Sequence, residues 1–171
     1  MSPADLTAKL EELHAAAFGW ALSCCGWDRA AAEDVLQATY LKLLDGRARF
    51  DGRSAFRTFV FGVIARTARE ARRRAALRRW LPLAALLLGP EAVDGRPDAA
   101  AALVRADETA RLVRALERLS ERQRQVLHLV FYEDLTIAEA AAVAGVSVGT
   151  ARTHYERGKA ALRTLLGEER E

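Results

Sequence analysis

The side chains in this sequence with the most to offer chemically are cationic and aromatic. Between residues 53 and 73 the chain places Arg53, Arg57, Arg66, Arg69, Arg72 and Arg73 among Phe56, Phe59 and Phe61. Arginine pairs with phosphate oxygens, and an aromatic ring can occupy the face of an unstacked base at ~1–3 kcal/mol per base. The same rings can serve as core instead, a role that suits Phe56 best and leaves Phe59 open to either. A second group follows at Ser147, Thr150, Arg152, Thr153, His154, Arg157 and Lys159, where hydroxyls and cations recur at helical spacing. Such a face can meet base edges and phosphates in a DNA groove.

Bond-making chemistry finds no support. The three histidines form no triad or metal cluster, and His128 suits a packing role. A recombinase would need an acidic triad or a serine/tyrosine nucleophile set, and neither is evident. Cys24 and Cys25 are adjacent, a spacing that rarely closes a disulfide, and two cysteines with only His14 upstream make a poor zinc site. No role is assigned to them. No cofactor and no metal are expected.

Charge is distributed unevenly. The net of +3 is the residue of a −4 N-terminal stretch (1–46), a +9 middle (47–79) and a −2 remainder (80–171). The middle holds eleven arginines against Asp51 and Glu70. That concentration is the electrostatic footprint of a phosphate-rich partner, since a merely solvated arginine face usually interleaves acids.

These residues need elements to position them. Residues 4–22 carry an apolar stripe of Leu6, Leu10, Leu13, Ala17 and Trp20 at helical spacing. Asp28 can cap a second helix running to Leu44, with Val35, Leu36, Tyr40, Leu43 and Leu44 inward and Asp34, Gln37, Leu41 and Lys42 outward. Gly46 ends it, and a turn of Phe50 to Ser54 leads to a long basic helix or helix pair, with Ser54 as its cap and Phe56, Val60, Val63 and Ile64 inside. Gly89 to Asp98 holds two glycines and two prolines and cannot continue a helix. Beyond it Leu112, Leu116 and Leu119 are in register on a further helix, and Ser120 with Gln123 forms a capping box. The stretch 134–162 reads as two short helices joined by a tight turn. Thr136 and Glu139 form its capping box, Gly145 supplies the positive φ that ends the first helix, and Ser147 caps the second. Ala151, Tyr155 and Leu162 then face inward, while Thr150, Arg152, Thr153, His154, Arg157 and Lys159 face outward. The pattern fits a helix–turn–helix, and the alternative on this stretch alone is an ordinary helical hairpin with a solvated charged face. The fold class expected is all-α, with two small helical domains at 1–80 and 106–171 joined by a flexible linker at 81–105.

The N-terminus lacks the basic region and apolar core of a signal peptide. The run Leu81 to Leu88 is far shorter than the ~20 residues that span a bilayer. A soluble, cytoplasmic protein is expected, with no role assigned to that apolar run.

With both halves placed, the chain resembles an extracytoplasmic-function sigma factor of the bacterial sigma-70 family. AEDVLQATYLKLL, FDGRSAFRTFVFGVIARTA and the following RRR resemble sigma region two. LERLSERQRQVLHLVFYEDLTIAEAAAVAGVSVGTARTHYERGKAALR resembles region four almost throughout. The resemblance implies that Asp34, Gln37 and Leu41 hold the coiled-coil of the largest subunit of core RNA polymerase. It implies that Arg53, Arg57, Phe59, Arg66, Thr67, Arg69, Arg72 and Arg73 read and open the minus-ten element of promoter DNA. Ser147, Thr150, Arg152, Thr153, His154, Arg157 and Lys159 would read the minus-thirty-five element, and the linker would thread toward the RNA exit channel. An anti-sigma factor is an expected partner, and a stable homo-oligomer is not expected. Phe59 stands where the family often has tryptophan, Thr67 where asparagine is frequent, and Gly158 where alanine is common. In a helix interior that glycine should cost about 1 kcal/mol.

Two other readings compete. A stand-alone helix–turn–helix regulator would fit the C-terminal half, but its first half should hold a sensory or dimerisation element. A helical adapter would have no reason to concentrate nine net positive charges in one segment. The GPEAVDGRPD composition predicts that limited proteolysis cuts between about Leu88 and Leu103 and leaves two helical fragments. Resistance there, together with a single cooperative unfolding transition, would contradict two domains.

Overall fold

The computed structural model describes residues 2–80 and 111–168, all helical or in turns, with no strand among them. The expected linker at 81–105 and its apolar run lie outside the described residues. The chain falls into two compact units, Met1–Gly95 and Arg96–Glu171.

The first unit is a three-helix bundle of α1 (Pro3–Cys24), α2 (Arg29–Leu44) and α3 (Phe56–Trp80). A capping box of Ser2 and Asp5, with proline at the first helical position, starts α1. Gly26 and Trp27 then both take positive φ, 66° and 68°, which turns the chain sharply into α2. Asp28 caps α2 as expected, accepting from the Ala31 amide at 3.0 Å. Ser54 does not cap α3. The helix starts one residue later, with the Phe59 amide bonded to Ala55 O, and the Ser54 hydroxyl donates to the Ala55 carbonyl instead. A single helix of 25 residues follows.

The core of this bundle is Trp20 against Phe61, both fully buried, stacked with centroids 6.1 Å apart. The Trp20 indole N–H donates to the Phe61 carbonyl at 3.0 Å, so the ring is buried without stranding its one polar group. Val60, Ile64, Val35, Leu36, Leu43 and a set of alanines fill the rest. Of the roles open to it, Phe61 takes the core one, and it points away from Phe59 because residues two apart lie on opposite sides of a helix. One expectation is corrected. Leu44 lies 54% exposed, one step past the last buried turn of α2.

The second unit packs α4 (111–117), α5 (Glu121–Leu127), α6 (Ile137–Ala144) and α7 (Val148–Glu168). Ser120 and Gln123 form the expected box on α5. From His128 to Tyr132 the helix widens into one π turn. It closes with the Glu133 amide on the His128 carbonyl at 3.2 Å. His128 is mostly buried and faces the buried Glu133 side chain across 3.3 Å, so it packs as expected but beside an acidic residue. Leu119 is buried and Leu116 half so, while Leu112 is 41% exposed and off the stripe expected of it.

Gly158 lies where α7 passes close to α5. It is buried, and a Cβ there would meet Leu127 Cδ1 at 3.0 Å and Gln123 Cβ at 3.2 Å. The residue that sequence marks as a helix defect is where α7 meets α5. Gly158→Val should therefore lose about 1–3 kcal/mol to overpacking despite its better helix propensity. Hydrogen exchange over 121–168 would read this as faster opening of the second unit alone. Protection equal to the wild type would show that α7 has room to spare.

Candidate nucleic-acid interface

The helix–turn–helix is assembled by local bonds. Thr136 accepts from the Glu139 amide, and the Glu139 carboxylate accepts from the Thr136 amide at 2.9 Å and hydroxyl at 2.7 Å. These bonds to Thr136 hold the Glu139 carboxyl below its usual range. Gly145 sits at φ 67°, with its amide on Ala142 O and the next amide on Ala141 O, the double closure that ends a helix on a left-handed residue. Arg122 reaches over from α5 and donates to the Ala144 carbonyl at 3.0 Å, placing a cation on the negative end of α6. Ser147 then accepts from the Thr150 amide at 3.1 Å and starts α7.

Rotation of α7 is set by Ala151, which is fully buried. That leaves Thr150, Arg152, Thr153 and Arg157 exposed, and His154 and Lys159 half-buried. The hydroxyls are already engaged: Ser147 Oγ and Thr150 Oγ1 lie 2.9 Å apart, and Thr153 donates to the Gly149 carbonyl at 3.0 Å. Arg152 and Arg157 are the long donors of the face. Lys159 is turned back over the Tyr155 ring, 4.6 Å from its centroid, with Glu156 at 3.3 Å. Tyr155 is half-buried, less deeply inward than expected, and stacks at 5.6 Å on Phe131, itself 61% exposed.

In the first unit, α3 aligns Phe59, Arg66, Arg69 and Arg73 at spacings of seven, three and four, one stripe of a helix. Arg66, Arg72 and Arg73 are exposed and Arg69 half-buried, with its Nε donating to Ala65 O. Phe59 is half-buried against Phe50 at 5.4 Å, and Phe50 meets Phe56 edge-on at 5.4 Å. Phe50 was not among the candidate residues. It precedes a turn, and its place at the end of the arginine stripe arises only when the turn folds back onto α3. Arg53 sits exposed on that turn beside Asp51. Arg57 is set apart from the stripe, its guanidinium over the Phe61 ring at 5.4 Å. Thr67 is also corrected: it is buried, with its hydroxyl oxygen accepting from Lys42 Nζ at 3.0 Å, and presents no surface to a base.

On α2, Asp34, Gln37 and Leu41 are exposed along one strip, with Leu41 56% open. Lys42, expected to lie outward with them, bends inward toward α3. Among the described residues no group of three or more histidine, cysteine or acidic side chains is placed to hold a metal. No described helix is long and apolar enough to cross a membrane.

Comparison with known proteins gives matches in both units. A family model described as Sigma-70 region 2 matches residues 10–78, and one described as Sigma-70, region 4 matches residues 109–162. RNA polymerase sigma factor CarQ of Myxococcus xanthus is 33% identical over 141 residues, 81% of this chain and 76% of that one. ECF RNA polymerase sigma factor SigF of Caulobacter vibrioides is 32% identical over 130 residues, 76% of this chain and 68% of that one. Among solved structures, the sigma factor RpoE of Bartonella quintana, in complex with the anti-sigma factor NepR, has a TM-score of 0.72 at 23% identity. That match covers 95% of this chain and 97% of RpoE.

Proposed function

We propose a division of labour from one premise: the chain belongs to the sigma-70 family, in its extracytoplasmic-function group. It is an alternative sigma factor and directs transcription initiation. The family consists of initiation factors, and we assign this chain no reaction of its own. Its place of work is the cytoplasm, with core RNA polymerase.

The single observation that carries the assignment of parts is that the three candidate groups lie on three different helices, α2, α3 and α7. Residues 1–80 form the polymerase-binding and minus-ten unit. The strip of Asp34, Gln37 and Leu41 on α2 takes the coiled-coil of the largest polymerase subunit. An exposed leucine flanked by polar side chains suits a helical partner that covers it. Phe59, backed by Phe50, lies at the end of a stripe of arginines on α3, so a flipped or unstacked base and the adjoining phosphates can be held together. Arg53, Arg66, Arg69, Arg72 and Arg73 supply the phosphate contacts, and Thr67 serves through packing. Residues 106–171 form the minus-thirty-five unit, and 81–105 connects the two. An anti-sigma factor is a further partner, a reading supported by the RpoE–NepR complex.

Sequence readout is assigned to the start of α7. Arg152 lies in its first two turns, where a recognition helix meets base edges, and can donate twice to guanine O6 and N7 at ~1–3 kcal/mol of discrimination. Arg157, more than a turn further on, is assigned to phosphate. The two contacts separate on mutation. Holoenzyme carrying Arg152→Ala should lose preference at one or two positions of a randomised minus-thirty-five library with its salt dependence nearly unchanged. Arg157→Ala should weaken all sequences evenly and lower the salt slope by about one. Uniform loss with an unaltered preferred sequence for Arg152→Ala would place the reading face elsewhere.

Opening of the duplex is assigned to Phe59. Phe59→Ala should leave closed complexes intact and reduce permanganate reactivity near the minus-ten element. The defect should shrink on a template with a pre-melted bubble. Equal defects on both templates would make Phe59 a structural residue.

A further inference from the structure

Lys42 and Glu70 are 28 residues apart and join α2 to α3. Lys42 Nζ donates to Glu70 Oε2 at 2.6 Å and to Thr67 Oγ1 at 3.0 Å, one turn apart on the same face of α3. Lys42 is mostly covered, at 23% side-chain exposure, while Glu70 remains 44% exposed on the arginine helix. Glu70 is the only acid between Asp51 and the end of α3. Its neighbours four residues away on either side are Arg66 and Arg74, the spacing at which helical side chains of opposite charge pair. Both arginines are exposed. The Lys42 ammonium, bonded to its carboxylate, holds Glu70 below the usual carboxylate range, and Arg74 and Arg66 add to the pull.

Three cations thus compete for one carboxylate, and the ammonium reaching up from α2 has taken it. We infer that Lys42 is a positioning residue for promoter binding: by occupying Glu70 from the buried side it leaves Arg66 and Arg74 to face phosphate. The inference rests on the reading of the α3 arginine face as a DNA surface. Without Lys42, Glu70 closes onto Arg66 or Arg74 along the helix. The face then loses a phosphate contact as well as a nearby positive charge. The Thr67 bond fixes where the ammonium sits, which explains why a threonine is buried at a position facing α2.

The inference separates from a simple packing role because its effect depends on Glu70. Holoenzyme is assembled at saturating core polymerase, with core affinity measured separately because Lys42 adjoins Leu41, and its binding to a promoter fragment is titrated at several salt concentrations. Lys42→Met should weaken binding about three- to tenfold at ~0.1 M salt and lower the salt slope by about one. Glu70→Gln alone should bind as well as the wild type or better. The double variant should return to within about twofold of the wild type. Lys42→Gln replaces Lys42→Met if the latter melts early by circular dichroism. Binding by Lys42→Met equal to the wild type, or a double variant as weak as Lys42→Met, overturns the inference. Arg66→Ala tells the two levels apart. If it weakens binding while Lys42→Met does not, only the role of Lys42 falls. If it leaves binding unchanged, the α3 face is not the DNA surface and the inference falls with that reading.

Discussion

Close approach between helices, possible only where side chains are no larger than a methyl group, is the constraint both units rest on. Ala17, Ala21, Ala32 and Ala68 are buried in the first bundle. Ala140, Ala141, Ala144 and Ala151 are buried in the second, with Gly158 against Leu127. Such residues bury little apolar area each, so they contribute mainly by letting backbones and the few large side chains touch. Trp20, Phe61 and Ile64 are the largest fully buried apolar side chains described in one unit, and Leu129, Val126 and Val143 in the other. In this thin core the Trp20 indole is satisfied by its bond to Phe61 O, while the small hydroxyls of Ser23, Thr39 and Thr58 are buried with no hydrogen-bond partner among the described residues.

Local chemistry was the legible part of the sequence. The boxes at Thr136 and Ser120, the caps at Asp28 and Ser147, and the positive φ at Gly145 are each set within six residues, and all form as read. What escaped was decided between elements. Periodicity marks an apolar face but not where along the helix its neighbour stops, so Leu44, Leu112 and Tyr155 were placed deeper than they lie. Ser54 has the composition of a cap, yet the packing of Phe56 and Phe59 against Phe50 sets the helix start one residue on. Thr67 drew notice for its chain position, while its actual partner, Lys42, is 25 residues away. The outward strip of Asp34, Gln37 and Leu41 was readable because it only required the buried face to be right.

Charge segregation has its own physical logic. A helix with arginines at 66, 69, 72, 73 and 74 repels itself, and in isolation that repulsion disfavours the folded form. The three-helix bundle tolerates it because the inner face of α3 is anchored by Val60, Phe61 and Ile64, while Arg66, Arg72, Arg73 and Arg74 lie on its exposed side. The acidic excess of residues 1–46 sits on the other two helices of the same bundle. The unit therefore carries a strong charge asymmetry, which orients it in the field of a polyanion before any contact forms.

The π turn at His128–Tyr132 has a consequence for how this sequence can vary over time. A helix turns by about 100° per residue, so one residue gained or lost rotates the remainder of that helix by that amount. Here the wider turn absorbs one extra residue and delivers Glu133 to a buried place and Leu135 to the core, with the Leu135 amide on Leu129 O at 3.0 Å. Loss of a single codon in that stretch would leave the remaining side chains chemically intact but break the bonds of Glu133 to His128 O and Leu135 to Leu129 O that set the end of the turn. Length between Leu127 and Thr136 is therefore under tighter constraint than composition, and substitutions there should accumulate where insertions and deletions do not.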